Sequence, residues 1–302
     1  MKISIARPLS IWEQGKRNNQ EDAIYPRVSE ATADDRVFIL CDGMGGHERG
    51  EVASNLVCNV LSSYIHEHWD GVGFTDLLLL DALNATMDEL DKLNDDSDRR
   101  PGTTLTLLVL HAGGVFAAHI GDSRIYHIRP KRHVVLYKSR DHSLVYDMLA
   151  SGEITVRDME KYSKKNVITR ALLPGLERRP KPSIVHIADV QPGDYFYLCS
   201  DGMLEKMSDR ELVKLLAKNT TDVKKCRRLV ELTKYNKDNH SAHLIFITDV
   251  VREPMDEQLK NDEIESPSNA LNLEKSASAE MTERNKHGLL SYFRTIINKL
   301  RK

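Results

Sequence analysis

The stretch Val37-Phe38-Ile39-Leu40-Cys41-Asp42-Gly43-Met44-Gly45-Gly46 decides how the chain is read. Its first five residues are apolar, with β-branched Val37 and Ile39 and the aromatic Phe38, as expected of a short strand buried on both faces. An aspartate ends the run and glycines follow. The same grammar returns at Tyr197-Leu198-Cys199-Ser200-Asp201-Gly202. A strand end fixes a carboxylate firmly, and glycine lets backbone or ligand come close. Asp-Gly after a strand is ordinarily a turn. With Met44-Gly45-Gly46 behind it, Asp42 also lies among accessible carbonyls, which suits a hard cation.

Residues 105–110, 115–120, 195–199 and 244–247 read as further buried strands, and Gly113-Gly114 as a hairpin turn between two of them. Apolar spacing predicts helices over 51–69, 74–94 and 208–217. Strands in pairs, then helices in pairs, then strands again describe an α+β chain of antiparallel sheets flanked by helices.

At 302 residues the chain has length for one large core or two modest ones. Its 43 basic and 45 acidic residues nearly balance, which gives no electrostatic reason to expect nucleic acid as a partner. The N-terminus lacks the apolar stretch of a signal peptide. Cys41, Cys58, Cys199 and Cys226 show no metal spacing, so reduced structural thiols and a cytoplasmic location are expected. The expected catalytic domain is 1–251. Residues 252–283 are polar and read as a disordered linker. Within 284–302, Leu289, Leu290, Phe293, Ile296, Ile297 and Leu300 share one face of a basic amphipathic helix. That helix is expected to contact a partner, its own domain or the membrane surface.

Other acids adjoin strands. Glu21-Asp22 follows Arg17-Asn18-Asn19-Gln20, Asp122 lies in Ile120-Gly121-Asp122-Ser123-Arg124, and Asp238-Asn239 precedes the strand at 244. Taken singly each is a turn or a cap. If their strand ends converge, the carboxylates repel one another unless cations sit among them.

Together with Gly102-Thr103-Thr104 and the run from Arg140-Asp141-His142-Ser143 to Asn166-Val167-Ile168-Thr169-Arg170-Ala171, this set resembles the type 2C metal-dependent protein phosphatases, in their bacterial branch. The resemblance spans roughly residues 1–250 in unbroken motif order. It implies a four-layer α-β-β-α sandwich with a dinuclear metal site at one end. It implies hydrolysis of phosphoserine and phosphothreonine in proteins by a metal-bridged hydroxide, in opposition to a Ser/Thr kinase. By the same resemblance Asp42 bridges two Mn²⁺ or Mg²⁺ ions. Asp201 and Asp238 complete one ion, and Glu21 and the Gly43 carbonyl serve the other. Asp122 with Asp201 matches a third-ion position. An all-oxygen set argues against zinc. Arg17 is the expected phosphate clamp, and Asp22 a residue that orients water ligands.

Met44 stands where eukaryotic relatives carry a proton-donating histidine, which leaves the general acid unassigned, with His47 nearby. Gly102-Thr103-Thr104 is expected to be a structural turn and His142 a flap residue. In the flap, about 141–176, the charges of Lys161, Lys164, Lys165 and Arg170 are either solvated or dock substrate. Two other readings exist: an inactive phosphoprotein-binding module of the same fold, and a phosphatase specialised for anti-sigma-factor antagonists.

Overall fold

The computed structural model describes residues 1–45, 49–94, 100–159, 162 and 167–252. His47, Lys161, Lys164 and Lys165 lie outside the described residues, as do the terminal helix and all of the linker but Arg252.

The strands are β1 (Lys2–Ile5), β2 (Leu9–Glu13), β3 (Asp22–Tyr25), β4 (Val37–Met44), β5 (Gly102–Thr103), β6 (Leu105–His111), β7 (Gly114–Ile120), β8 (Arg124–Arg129), β9 (Val134–Lys138), β10 (Ser183–Ile187), β11 (Tyr195–Cys199) and β12 (His240–Val251). The helices are α1 (Arg49–His68), α2 (Asp76–Asp91), α3 (Leu144–Ser151), α4 (Val156–Met159), α5 (Asp209–Leu216) and α6 (Asp222–Thr233). One sheet runs β1-β12-β11-β8-β9 with β2 also on β12, and the other runs β10-β7-β6-β4-β3 with β5 on β4.

Side-chain alternation divides the core into three layers. Val37, Ile39 and Cys41 of β4, with Leu105, Leu107 and Val109 of β6, pack under Val57, Leu61 and Leu79 of α1 and α2. Phe38, Leu108, Phe196, Leu198, Ile245 and Ile247 meet between the sheets. Tyr195, Tyr197 and Cys199 of β11 turn the other way, onto Leu212, Leu216 and Leu229 of α5 and α6. The central strands are therefore covered on both faces, which is why they read as unbroken apolar runs. The result is the expected α-β-β-α sandwich.

Two details differ from the sequence expectation. β4 does not end at Cys41 but carries Asp42 and Gly43 within it, because β3 and β5 supply pairing partners as far as Met44. The expected strand at 244–247 is the middle of the long β12, which begins just after Asp238-Asn239.

Candidate metal centre

Asp42 stands opposite Asp22 in the β3–β4 register. Its backbone is held by the threonine pair. Asp42 N donates to Thr104 Oγ1 at 3.0 Å, while Thr104 N and Thr103 Oγ1 donate to Asp42 O at 2.9 and 3.0 Å. Thr104 Oγ1 also bonds Ser123 Oγ at 2.7 Å, next to Asp122. Gly102-Thr103-Thr104 is thus more than a turn: it clamps the residue on which the site depends.

Glu21 is fixed through its main chain. Its carbonyl accepts Gly43 N at 3.1 Å and Ser54 Oγ at 2.6 Å, and its N–H donates to Asn239 Oδ1 at 2.9 Å. Asn239 Nδ2 donates to the carbonyls of Gln14 and Asn19, both at 2.8 Å, and so ties the loop carrying Arg17 to the start of β12. The first turn of α1 presses on this region. A Cβ on Gly50 would lie 2.8 Å from the Gly43 carbonyl carbon and 2.9 Å from Glu21 Cδ.

Asp201 and Asp238 come from the other sheet. A Cβ on Gly202 would lie 2.0 Å from Asn239 O and 3.2 Å from Asp238 Cβ, so the glycine after Asp201 permits the two loops to touch. Asp238 N and Lys237 N both donate to the Glu205 carboxylate, each at 2.9 Å to Oε1. Asp238 Oδ2 accepts Arg17 Nη2 at 2.7 Å. Asp22 is only 1% exposed. Its Oδ2 accepts Ser200 Oγ at 2.9 Å across the sandwich, and its Oδ1 has no partner among the described residues.

The electrostatics agree on one point: too many carboxylates share too little water. Burial, reinforced by Asp22, Asp201, Asp122 and Asp238, pushes the Asp42 carboxyl well above the usual range. Burial likewise pushes Asp22 up to about 7, with Asp201 and Asp238 adding to it. Asp122 also rises to about 7, through burial and then Asp201 and Asp141. Asp201 rises to about 6, through burial and then Asp238 and Glu205. Burial raises Glu21 too, against the pull of Arg17.

The donors present are hard oxygens, crowded and short of positive charge, with one orphaned carboxylate oxygen at their edge. This chemistry fits divalent cations of the Mg²⁺ and Mn²⁺ kind. Among the described residues, no three or more Asp, Glu, His or Cys side chains are arranged to hold an ion as they stand. Asp238 is engaged by Arg17.

Asp122 is brought to the same end and is 8% exposed. Its neighbour Arg124 is bidentate on Asp141, Nε and Nη2 each at 2.7 Å. His142 does not join the acids. Its Nδ1 accepts Gly121 N at 3.1 Å and its ring stacks on His119 at 4.5 Å, which anchors the base of the flap. Sequence reasoning missed Gly50, Ser200 and Glu205 and undervalued Thr104. In the sequence Ser200 reads only as part of the strand-Asp-Gly motif, and Gly50 falls just outside the helix expected over 51–69, which begins at Arg49.

An acid-rich, all-oxygen centre with the Arg17 guanidinium beside it, at the end of a double sheet, suits metal-dependent hydrolysis of phosphoric esters. The family model "Protein phosphatase 2C" matches residues 14–235. The chain belongs to the protein phosphatase 2C family. It is 33% identical to protein phosphatase PhpP of Streptococcus pneumoniae, over 65% of this chain and 78% of that one. It is similar to the structure of the Mycobacterium tuberculosis serine/threonine phosphatase PstP/Ppp, with 29% identity and a TM-score of 0.67, over 81% of this chain and 99% of that one. It is also similar to the PstP catalytic domain in complex with two manganese ions, with 29% identity and a TM-score of 0.65, over 82% of this chain and all of that one. No helix among the described residues is long and apolar enough to cross a membrane.

Proposed function

We propose that the chain hydrolyses phosphoserine and phosphothreonine in proteins at the acidic end of the sandwich, with Mn²⁺ or Mg²⁺ as cofactor. The observation that carries this is the crowding of Asp42, Asp201 and Asp238, from both sheets, with the Arg17 guanidinium on Asp238. Asp42, Asp201, Asp238, Glu21 and the Gly43 carbonyl would hold two ions, and Asp122 with Asp201 a third. Such ions supply positive charge to the phosphoryl oxygens and make an attacking water acidic enough to act near neutral pH.

The chain's own residues do the rest. Arg17 spends one N–H of Nη2 on Asp238 and has further guanidinium N–H groups to offer the phosphoryl oxygens. Asp22, with one oxygen on Ser200 and one open, orients water at the rim of the centre. Thr103 and Thr104 hold the backbone of Asp42, and Asn239 that of Glu21. A catalytically silent binding module would have no use for this complete acidic set, and nothing favours anti-sigma-factor antagonists over other phosphoproteins. An opposing Ser/Thr kinase and a cytoplasmic location complete the reading, the latter supported by four free cysteines.

The test is hydrolysis of a phosphothreonine peptide with Mn²⁺, with Mg²⁺ and with EDTA. Metal-dependent turnover is expected, with at least a ~10³-fold loss in Asp42→Asn and in Asp201→Asn, a loss of the size that removing preorganised charge stabilisation brings. Undiminished metal-dependent turnover in both variants would refute the assignment.

A further inference from the structure

A cavity of about 480 Å³ lies at the end of the sandwich away from the acids. Tyr195 lines it, and β11 runs from there for roughly 13 Å to Cys199 before the chain reaches Asp201. Its charge is the reverse of the metal centre's. Lys131 and His133 come from the turn between β8 and β9, Lys218 from the turn after α5, and Lys225 from α6. Among the described lining residues Asp222 is the one acid. The cations converge from separate segments, so the hollow is not merely the polar face of one helix. Residues 214–237 add to its field, with eight Lys and Arg against two acids in a chain that is nearly neutral. A concave wall of one sign gathers the opposite ion.

Lys225 is the telling residue. It is only 7% exposed, and an ammonium so buried is costly unless it is neutralised. Asp222 Oδ1 lies 3.3 Å from Lys225 Nζ, but the same oxygen also accepts the Tyr195 hydroxyl. Lys225 Nζ donates in turn to the Tyr195 oxygen at 2.7 Å. Lys131 and Lys218 are exposed and make no ion pair among the described residues. Three ammonium groups thus face one carboxylate that is already shared. A dianion balances the two positive charges left over, and a monoanion does not. No arginine is among the described lining residues, so the planar fork that suits a carboxylate is missing. Ammonium groups act on a phosphoryl group as compact point charges. Leu216 and Phe246 give the remaining wall an apolar patch.

We propose that this cavity binds a small phosphate monoester, its phosphoryl group among Lys131, Lys218 and Lys225 and its body against Leu216 and Phe246. The volume lies within the ~300–1,000 Å³ of small-molecule sites, towards the small end. The site stands apart from the metal centre and does not depend on the phosphatase reading.

The experiment titrates the full chain by calorimetry with AMP, adenosine and inorganic phosphate, once with Mn²⁺ and once in EDTA. AMP carries both a dianion and a flat body, and each of the other two probes carries one of them. In EDTA a phosphoryl group has no ion to meet among the acids, so binding there reports the cavity. AMP is expected to bind in EDTA with a Kd of about 1 mM or tighter, and at least about tenfold tighter than either fragment. Lys131→Glu combined with Lys218→Glu, both at exposed positions, should weaken AMP at least about tenfold, and the corresponding pair of Gln substitutions should weaken it less. Both variants should melt at the temperature of wild type, which separates a lost site from a lost fold. No AMP binding in EDTA, adenosine binding as tightly as AMP, or an affinity unchanged in the double Glu variant would overturn the site. Inorganic phosphate binding as tightly as AMP would overturn the ester as its ligand.

Discussion

Arg17 gives one N–H of Nη2 to Asp238 and keeps further guanidinium N–H groups for a ligand. A lysine at this position would retain the charge and lose the planar fork. Charge-assisted bonds are worth about 1.5–3 kcal/mol each, so Arg17→Lys should lower kcat/KM on a phosphothreonine peptide at least about tenfold. Steady-state kinetics at saturating Mn²⁺ would check this. Asp42 carries the opposite lesson. Its raised pKa means that the fold favours its protonated form, so in metal-free protein its charge weakens the fold as pH rises above the ordinary carboxylate range. Asp42→Asn, a neutral isostere, should therefore melt higher than wild type in EDTA at pH 7.5. The same variant should lose the Mn²⁺-induced rise in Tm. Thermal melts with and without Mn²⁺ separate the two effects.

At the scale of elements, the approach of α1 to β4 is set by two missing Cβ atoms, at Gly50 and at Gly43, whose own Cβ would lie 2.3 Å from Gly50 O. Gly→Ala inside a helix ordinarily stabilises by about 1 kcal/mol. At Gly50 the added methyl would meet the Gly43 and Met44 backbone at 2.8 Å and Glu21 Cδ at 2.9 Å. Gly50→Ala should therefore weaken Mn²⁺ binding, read by calorimetry, and gain no stability. The elements themselves were legible to unequal degrees. Strands buried on both faces declared themselves as apolar runs. The helix α6 did not, since Lys224, Lys225, Arg227 and Arg228 interrupt its apolar spacing. The end of β4 was misread because Asp-Gly is a local turn signal, whereas its pairing is with β3 and β5, the latter some 60 residues away. The acids were legible from their order along the chain. Their supports were not, because Ser200 and Asn239 meet Asp22 and Glu21 only in the fold, from the far end of the domain.

For the whole molecule, the buried imidazoles weaken the fold as pH falls, against the raised carboxylates, which strengthen it. Burial, with His119 and Arg170 adding to it, pushes His142 down to about 3, and burial pushes His243 down to about 4. A depressed histidine is neutral in the fold and charged in the unfolded chain below its ordinary pKa of about 6.5. Each such group therefore contributes stability above about pH 6.5, and that contribution drains away as pH falls towards its folded value. His142→Gln should make the fall in unfolding free energy between pH 6.5 and 4.5 shallower by nearly one proton, about 1.4 kcal/mol per pH unit. Urea titrations of both proteins in the same EDTA buffer would measure the difference, with the carboxylates common to the two.

The position of the acids at the end of both sheets has one more consequence. Asp42 and Glu21 ride on the β3–β4 side, Asp201 and Asp238 on the β11–β12 side, and the Ser200–Asp22 and Asn239–Glu21 hydrogen bonds join the two sides. An ion held by both sides would act as a rivet through two leaves, resisting their shear. Catalytic loading would then also be mechanical locking. Amide exchange at the site ends of β4 and β11 should slow with Mn²⁺, while exchange in the hairpin at the opposite end of β6 and β7 keeps its own rate.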